Sequence, residues 1–452
     1  MIAKVRVVPE DVSLDDAREL LAFIEAAPSP FHAVAEAAAQ LEAVGFSRVD
    51  ESDAWPIAPG RHFVVRGGSL VAWSGDVGAA AAGAGFRVVG AHTDSPNLRV
   101  KPRPDTVSGP WHQLGIEVYG GVLLNSWLDR DLGLSGRVSL AVDGRVETRL
   151  VRDDRPLLRI PQLAIHLDRE LNQAGLKLNP QQHLTPIWAL AAGDTSGPTG
   201  NFERYLADQL GVAAADILSW DVMTHDVQPG TLAGLHDEFV SSARLDNLLS
   251  CWAALRALAA STVARPTRAG DRTGDLPVAV VALFDHEEIG SQSASGASSD
   301  LLATVLERIV LAGGGDRAGF LRAVAASMCV SADGAHATHP NYPERHESGH
   351  RVHLNAGPVL KHNANARYAT DAGTGARFEL ACRTAGVPLQ HFVSRNDMAC
   401  GSTIGPITAS RLGIPTVDVG VAQLAMHSAR ELCGSVDPGF FRQALEAFLS
   451  AP

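Results

Sequence analysis

The stretch Pro277-Val278-Ala279-Val280-Val281-Ala282-Leu283-Phe284-Asp285-His286-Glu287-Glu288-Ile289-Gly290-Ser291 decides how this chain is read. Its first eight residues form an unbroken apolar run, far too short to cross a bilayer and rich in valine, as in a buried central strand. Four ionisable residues follow at once. A charge beside a buried strand is costly unless it is used. Adjacent carboxylates in an extended chain project to different sides, so one can bind a metal while its neighbour meets the water on that metal. Taken alone, the stretch is equally an ordinary acidic turn.

Strand and helix signals alternate on both sides of a different texture. Helical spacing runs over 14–46, led by Ser13 as an N-cap with Asp15 and Asp16 in the first turn, and Pro28-Ser29-Pro30 breaks it into two helices. Short β runs follow at His62–Val65, Leu70–Trp73 and Arg87–Ala91. Residues 240–260 and 299–312 read as helices around the strand 277–284. A strand near Thr416–Val419 and a helix near Pro438–Leu449 close the chain. Between the two parts, Gly115–Tyr119, Val138–Val142 and Val146–Val151 are short β runs separated by Gly and Asp turns. The segment 261–275 is a polar loop. The expectation is an α/β domain in two pieces, 1–96 and 236–452, with a β-rich domain, 97–235, inserted.

Composition narrows the function. The chain has 452 residues and a net charge of −12, with four lysines among its 38 basic residues. It can bury a sizeable core without disulfides. A nucleic-acid partner is disfavoured, because tracking phosphates needs clustered Lys and Arg. The five cysteines, Cys251, Cys329, Cys382, Cys400 and Cys433, form no CxxC pair. They read as reduced, buried thiols rather than a zinc site. Acidic residues at 10, 11, 15 and 16 stand where a signal peptide needs an apolar stretch. The chain reads as cytoplasmic, with no membrane partner.

Four more stretches gather the same chemistry near strand ends. In Gly90-Ala91-His92-Thr93-Asp94, the i, i+2 pair His92 and Asp94 points one way, and Asp94 is placed to fix the imidazole ring. Asp246, in Ser242-Ala243-Arg244-Leu245-Asp246-Asn247, is either a capping acid or a carboxylate ligand at a helix start. Asp333-Gly334 is either a plain turn or a ligand position. His427 lies in Gln423-Leu424-Ala425-Met426-His427. Together these stretches supply two His, several carboxylates and one carboxylate to spare. That inventory suits two zinc-like ions sharing a bridging carboxylate, with a general base left over. GxSxG and the P-loop are both absent from the chain.

Eight motifs in chain order resemble the aspartyl aminopeptidases, a family of dinuclear zinc exopeptidases. They are GAHTDSPNLRVKP (90–102), YGG with LDRDLGLSGRV (119–138), SARLDN (242–247), FDHEEIGSQSASGA (284–297), ADGAHATHPNYPERHE (332–347), GPVLKHNANARYATD (357–371), RNDMACGSTIGP (395–406) and QLAMHSARE (423–431). The resemblance implies a phosphorylase/hydrolase-like α/β/α sandwich carrying the catalytic site. It implies that His92 and Asp333 ligate one zinc, Glu288 and His427 the other, and that Asp246 bridges them. Glu287 would be the general base, with Asp94 supporting His92. The insert 97–235 would be a dimerisation domain whose His166 reaches a neighbouring subunit's site, within dodecamers built from dimers. Lys361 and Tyr368 would meet the substrate, Lys361 facing an acidic first side chain. The implied activity is removal of N-terminal Asp or Glu from peptides. A dinuclear deacylase of N-acyl amino acids and a noncatalytic shell-forming scaffold are the rival readings. The deacylase needs a cation for a substrate carboxylate, and the scaffold predicts a missing base or ligand.

Overall fold

A computed structural model describes residues 13–55, 60–190, 201–261 and 276–451. All but Ser261 of the polar loop expected at 261–275 lies outside the described residues, as do Glu10 and Asp11. The chain divides into two compact units. One comprises Met1–Asp94, Gly230–Met426 and Glu431–Pro452; the other comprises Ser95–Pro229 with His427–Arg430.

The first unit is built on a nine-stranded mixed sheet. Its strands run, in spatial order, Ser47–Arg48, Gly60–Arg66, Ser69–Gly75, Val278–Phe284, Phe86–His92, Met328–Ala332, Thr416–Gly420, Val359–His362 and Gln390–Val393. Four neighbours, Val278–Phe284, Phe86–His92, Met328–Ala332 and Thr416–Gly420, are mutually parallel. All seven residues of Val278–Phe284 are buried, as a parallel strand covered on both faces must be.

Alternate residues of each strand feed two separate hydrophobic clusters, because successive side chains leave opposite faces of a sheet. Val281, Leu283, Val89, Ala91, Leu70 and Ala72 pack in one cluster with helices Asp15–Ala26, Pro30–Ala43, Leu245–Ser261 and Asp437–Leu449. Val280, Ala282, Val88, Val71 and Trp73 pack in the other with helices Leu301–Ala312 and Arg317–Ala325.

The helix break at 28–30 has a local cause. Pro30 opens the second helix, where its missing N–H costs nothing, and the Ser29 hydroxyl accepts the His32 amide. The first helix departs from expectation. Leu14 stands at its cap position, and the Ser13 hydroxyl instead accepts the Asp15 amide from one residue further out. A five-stranded sheet, in the order Thr231–Ala233, Phe239–Ser242, Glu431–Gly434, Ala422–Leu424 and Ala335–His336, completes the unit.

The second unit is centred on a six-stranded antiparallel sheet: Arg145–Leu158, Leu132–Val142, Ile217–Asp226, Asn97–Ser108, Trp111–Tyr119 and Ile187–Leu190. Leu98, Leu114, Leu132, Leu134, Val138 and Phe202 belong to its own core. Among the described residues, no helix is long and apolar enough to cross a membrane.

Candidate metal centre

Three neighbouring parallel strands end at one place in the first unit. His92 is the last residue of Phe86–His92, Asp285 follows Val278–Phe284, and Asp333 follows Met328–Ala332. The carboxyl ends of parallel strands are where α/β sheets present functional groups. Here they bring together residues that are 241 positions apart in the chain at the extremes, 92 to 333.

His92 sits at the centre of this group and is buried. Its Nδ1 lies 3.0 Å from the Asp94 carbonyl oxygen. A proton on Nδ1 makes that hydrogen bond and leaves Nε2 as the ligating atom. Nε2 faces Asp246 Oδ1 at 3.3 Å, Asp333 Oδ1 at 3.4 Å and Glu287 Oε2 at 3.9 Å. The ring is therefore held chiefly by a backbone carbonyl. The Asp94 carboxylate, expected to hold it, is at 3.5 Å from Nδ1.

That carboxylate does something else. It accepts the Glu287 amide at 3.0 Å and the Glu288 amide at 3.1 Å. The two glutamates lie on a single 3-10 turn, Glu287–Ile289, and not in the extended chain their adjacency suggests. His286 takes a left-handed φ of 66° and Gly290 one of 93°, so the chain reverses sharply on both sides of the pair. The His286 ring is hydrogen-bonded to the Ser293 hydroxyl at 2.8 Å, which braces the turn.

Asp246 comes from the other direction, at the head of the helix Leu245–Ser261. It and Asn247 have non-helical dihedrals, so regular helix begins beyond them. Its amide donates to the buried Glu431 at 2.9 Å, and Asn247 donates to the Ala332 carbonyl at 2.8 Å. These two bonds tie the helix head to the strands. Glycine 420 admits Asp333 to the site: a Cβ there would lie 1.7 Å from the Asp333 carbonyl oxygen.

The electrostatics follow from crowding acids around one imidazole in a dry place. Burial alone would lower the His92 pKa, but Asp246, Asp333 and Asp94 outweigh it and hold the ring well above its usual value. Burial pushes Glu287 up to about 8, with Asp333, Asp246 and Asp94 adding to the rise and His92 opposing it.

Among the described residues of the first unit, two groups of possible ligand atoms lie within 4.8 Å of one another: His92 with Asp246 and Asp333, and His92 with Glu287 and Glu288. The Asp246 and Glu288 oxygens also come within 4.8 Å of each other. One imidazole among buried carboxylate oxygens is a donor set suited to a divalent ion of the zinc type, so the residues fit the metal.

The remaining expected residues are described in their own units. His427 is in the segment His427–Arg430 of the second unit, where its Nδ1 lies 3.0 Å from the Gly121 carbonyl oxygen. His166 is in an exposed turn of the same unit, beside exposed Leu163, Ile165 and Leu167. Lys361 is on the strand Val359–His362 of the first unit, only 2% exposed, with Nζ 5.3 Å from the Tyr368 ring centroid. Burial raises the Tyr368 pKa, and Cys400, Asp333 and Asp418 add to it, which places its hydroxyl in the field of the Asp333 ligand candidate. Sequence reasoning gave no role to Asn247, His286 or Asp418. The first two stood inside quoted motifs, while Asp418 was hidden in a strand.

The whole arrangement has known counterparts. Residues 23–449 match the family described as aminopeptidase I zinc metalloprotease (M18). A probable M18 family aminopeptidase 2 of Streptomyces coelicolor is 54% identical over 432 residues, covering 95% of this chain and 96% of that one. Its namesake in Mycobacterium leprae is 53% identical over 438 residues, covering 96% and 98%. Among solved structures, Ape4 in its complex with Nbr1 superposes with a TM-score of 0.91 at 37% identity, covering 98% of this chain and 88% of that one. The mApe1 dodecamer of S. cerevisiae gives 0.82 at 30% identity, covering 96% of each. The shared length, the identity and the buried acid–imidazole cluster together assign the chain to the M18 family of zinc metallo-aminopeptidases.

Proposed function

We propose that this aminopeptidase removes acidic residues, Asp or Glu, from peptide N-termini, and that it uses two zinc ions. The observation that carries the acidic preference is Lys361, an ammonium-bearing side chain buried on a strand end against Tyr368. A substrate carboxylate reaching it gains a charge partner in a dry site. An apolar or basic side chain there offers the lysine no such carboxylate.

In this reading His92 and Asp333 hold one ion, Glu288 and His427 the other, and Asp246 both. When bound, the ions supply the Lewis acidity that activates water and polarises the scissile carbonyl. Glu287 accepts a proton from the attacking water and returns one to the leaving amine. Asp94 keeps Glu287 and Glu288 in their two positions through their amides. Tyr368 flanks the substrate's first side chain.

The first unit is read as an α/β/α sandwich and the second as a dimerisation domain. His166 from a neighbouring copy would donate to the oxyanion formed at the substrate carbonyl. Dimers would build a dodecamer, the assembly in which mApe1 of S. cerevisiae was solved. The direct test is turnover of peptides beginning with Asp, Glu, Leu or Lys, with and without a chelator. Asp and Glu peptides should be cleaved far faster, and the chelator should abolish it. Equal rates on Leu peptides would overturn the acidic preference.

A further inference from the structure

Strand pairing sets Lys361 against an acid. The strands Val359–His362 and Thr416–Gly420 are antiparallel, with Val359 opposite Gly420 and Leu360 opposite Val419. One residue further on, the same register puts Lys361 across from Asp418. Directly opposed residues of an antiparallel pair project from one face. Both are buried, Asp418 completely. The lysine's charge pulls the Asp418 carboxyl down against burial, the larger effect, which pushes it up.

The Asp418 carboxylate is held on all sides by the segments around Lys361. Its Oδ2 accepts the Ala369 amide at 2.6 Å, next in the chain to Tyr368. Its Oδ1 accepts the hydroxyl of Thr403, the N-cap of the helix Ile404–Leu412. A Cβ on Gly405 would lie 2.3 Å from Oδ2, so the first turn of that helix closes directly over the carboxylate. On the opposite flank, Asp418 is in register with Ser331, two residues before Asp333. Complete burial keeps Asp418 from touching substrate. What its position allows is to steady the groups that do.

We infer that Asp418 is a positioning residue for selection of acidic substrates: it holds the Lys361 ammonium in place and fixes the Tyr368 segment beside it. The inference rests on the reading of Lys361 given above. A buried ammonium is costly unless an opposing charge is close. One charged residue thus serves the strand, the loop and the helix that together surround the lysine.

The test is the ratio of kcat/KM for an Asp-initiated peptide over a Leu-initiated one, measured on the zinc-loaded enzyme. Asp418→Asn keeps the shape and an acceptor for the Ala369 amide, and the Thr403 hydroxyl can turn to accept the new N–H. Only the charge is lost. The ratio should fall by about tenfold or more through a raised KM for the Asp peptide, while the Leu peptide and the zinc content change little. In a Lys361→Leu background, Asp418→Asn should change the ratio by less than about twofold, because the two residues act as one unit. An unchanged ratio, or equal losses on both peptides, overturns the inference. If Lys361→Leu itself leaves the ratio intact, the reading of Lys361 fails and this inference falls with it. If Lys361→Leu collapses the ratio and Asp418→Asn does not, only the role of Asp418 fails. Should Asp418→Asn not fold, Thr403→Val removes one donor to the carboxylate and leaves the charge in place. It should lower the ratio by about threefold, and no change would equally overturn the inference.

Discussion

The Asp94 carboxylate accepts the backbone amide of Glu287 at 3.0 Å, and its second oxygen accepts the next amide, that of Glu288, at 3.1 Å. One buried acid at the end of one strand therefore sets the position of two acids following another. Residues that orient ligands from behind typically govern metal affinity by 10–100-fold. Asp94→Ala should weaken zinc binding by about that factor and cut kcat by about 10²-fold. Zinc competition titration checks the first and steady-state kinetics the second. Unaltered zinc affinity would show that the 3-10 turn holds without Asp94.

Glu287 and Glu288 are neighbours with different proposed duties. Glu287→Gln keeps the shape of the side chain and loses its ability to accept a proton. Turnover should fall by about 10²–10⁴-fold with both metals retained, because removing a general base typically costs that much. Metal analysis of the purified variant decides the assignment. Loss of one zinc from Glu287→Gln would mean that the roles of the two glutamates are reversed.

Metal-free stability should depend on pH with a definite sign. Glu287 holds its proton up to about 8 in the fold, against an ordinary value of 4.5. Between those values the unfolded chain binds fewer protons than the native one, so stability falls as pH rises. His92 is raised as well, and the stability its proton contributes is present below 6.5 and lost as pH climbs through the raised value. Both groups act in the same direction. Zinc needs deprotonated ligands, so its binding strengthens over the same range. The difference in Tm between zinc-loaded and chelator-treated protein should therefore be larger at about pH 8 than at about pH 6. Scanning calorimetry at the two pH values checks this. An equal increment at both would mean that these protons are not displaced on loading.

Lys361→Leu replaces the buried ammonium with a shorter, apolar side chain. A charge pair in such a site discriminates by about 2–5 kcal/mol. Asp and Glu peptides should lose most of their kcat/KM advantage over Leu peptides, while metal content stays constant. Retention of the full preference would move acidic selection to Arg367 or His362.

The parts of the molecule that were legible in the sequence share one property: their signal is local. The run 277–284 reads as a strand because seven consecutive buried side chains are all apolar. The break at 28–30 reads correctly because proline and serine act on the adjacent backbone. Each candidate ligand of the first unit could be located because it ends a strand, follows one closely or heads a helix. What escaped was set by distant packing. The 3-10 turn at Glu287 depends on a left-handed histidine, which no composition rule flags. Asp418, in Val417-Asp418-Val419, looks like the polar position of an alternating strand. Its partners lie 15 and 49 residues away in the chain.

The last expectation concerns His166. Its turn carries Leu163, Ile165 and Leu167 at 57%, 44% and 75% exposure, a set of apolar side chains that a second copy could cover. If His166 serves a neighbour's site, a subunit lacking Glu287 can still lend its histidine, and a subunit lacking His166 can still use its own base. His166→Ala and Glu287→Gln proteins, each inactive alone, should regain activity when mixed, dissociated and reassembled. In a two-fold pair each mixed dimer holds one site with both residues intact. Random reassembly makes half the dimers mixed, so recovery should reach about a quarter of the wild-type rate. The reassembled oligomers need to be verified as mixed, by mass spectrometry of differently tagged subunits. No recovery in verified mixtures would place both residues in one subunit's site, or leave His166 without a catalytic role.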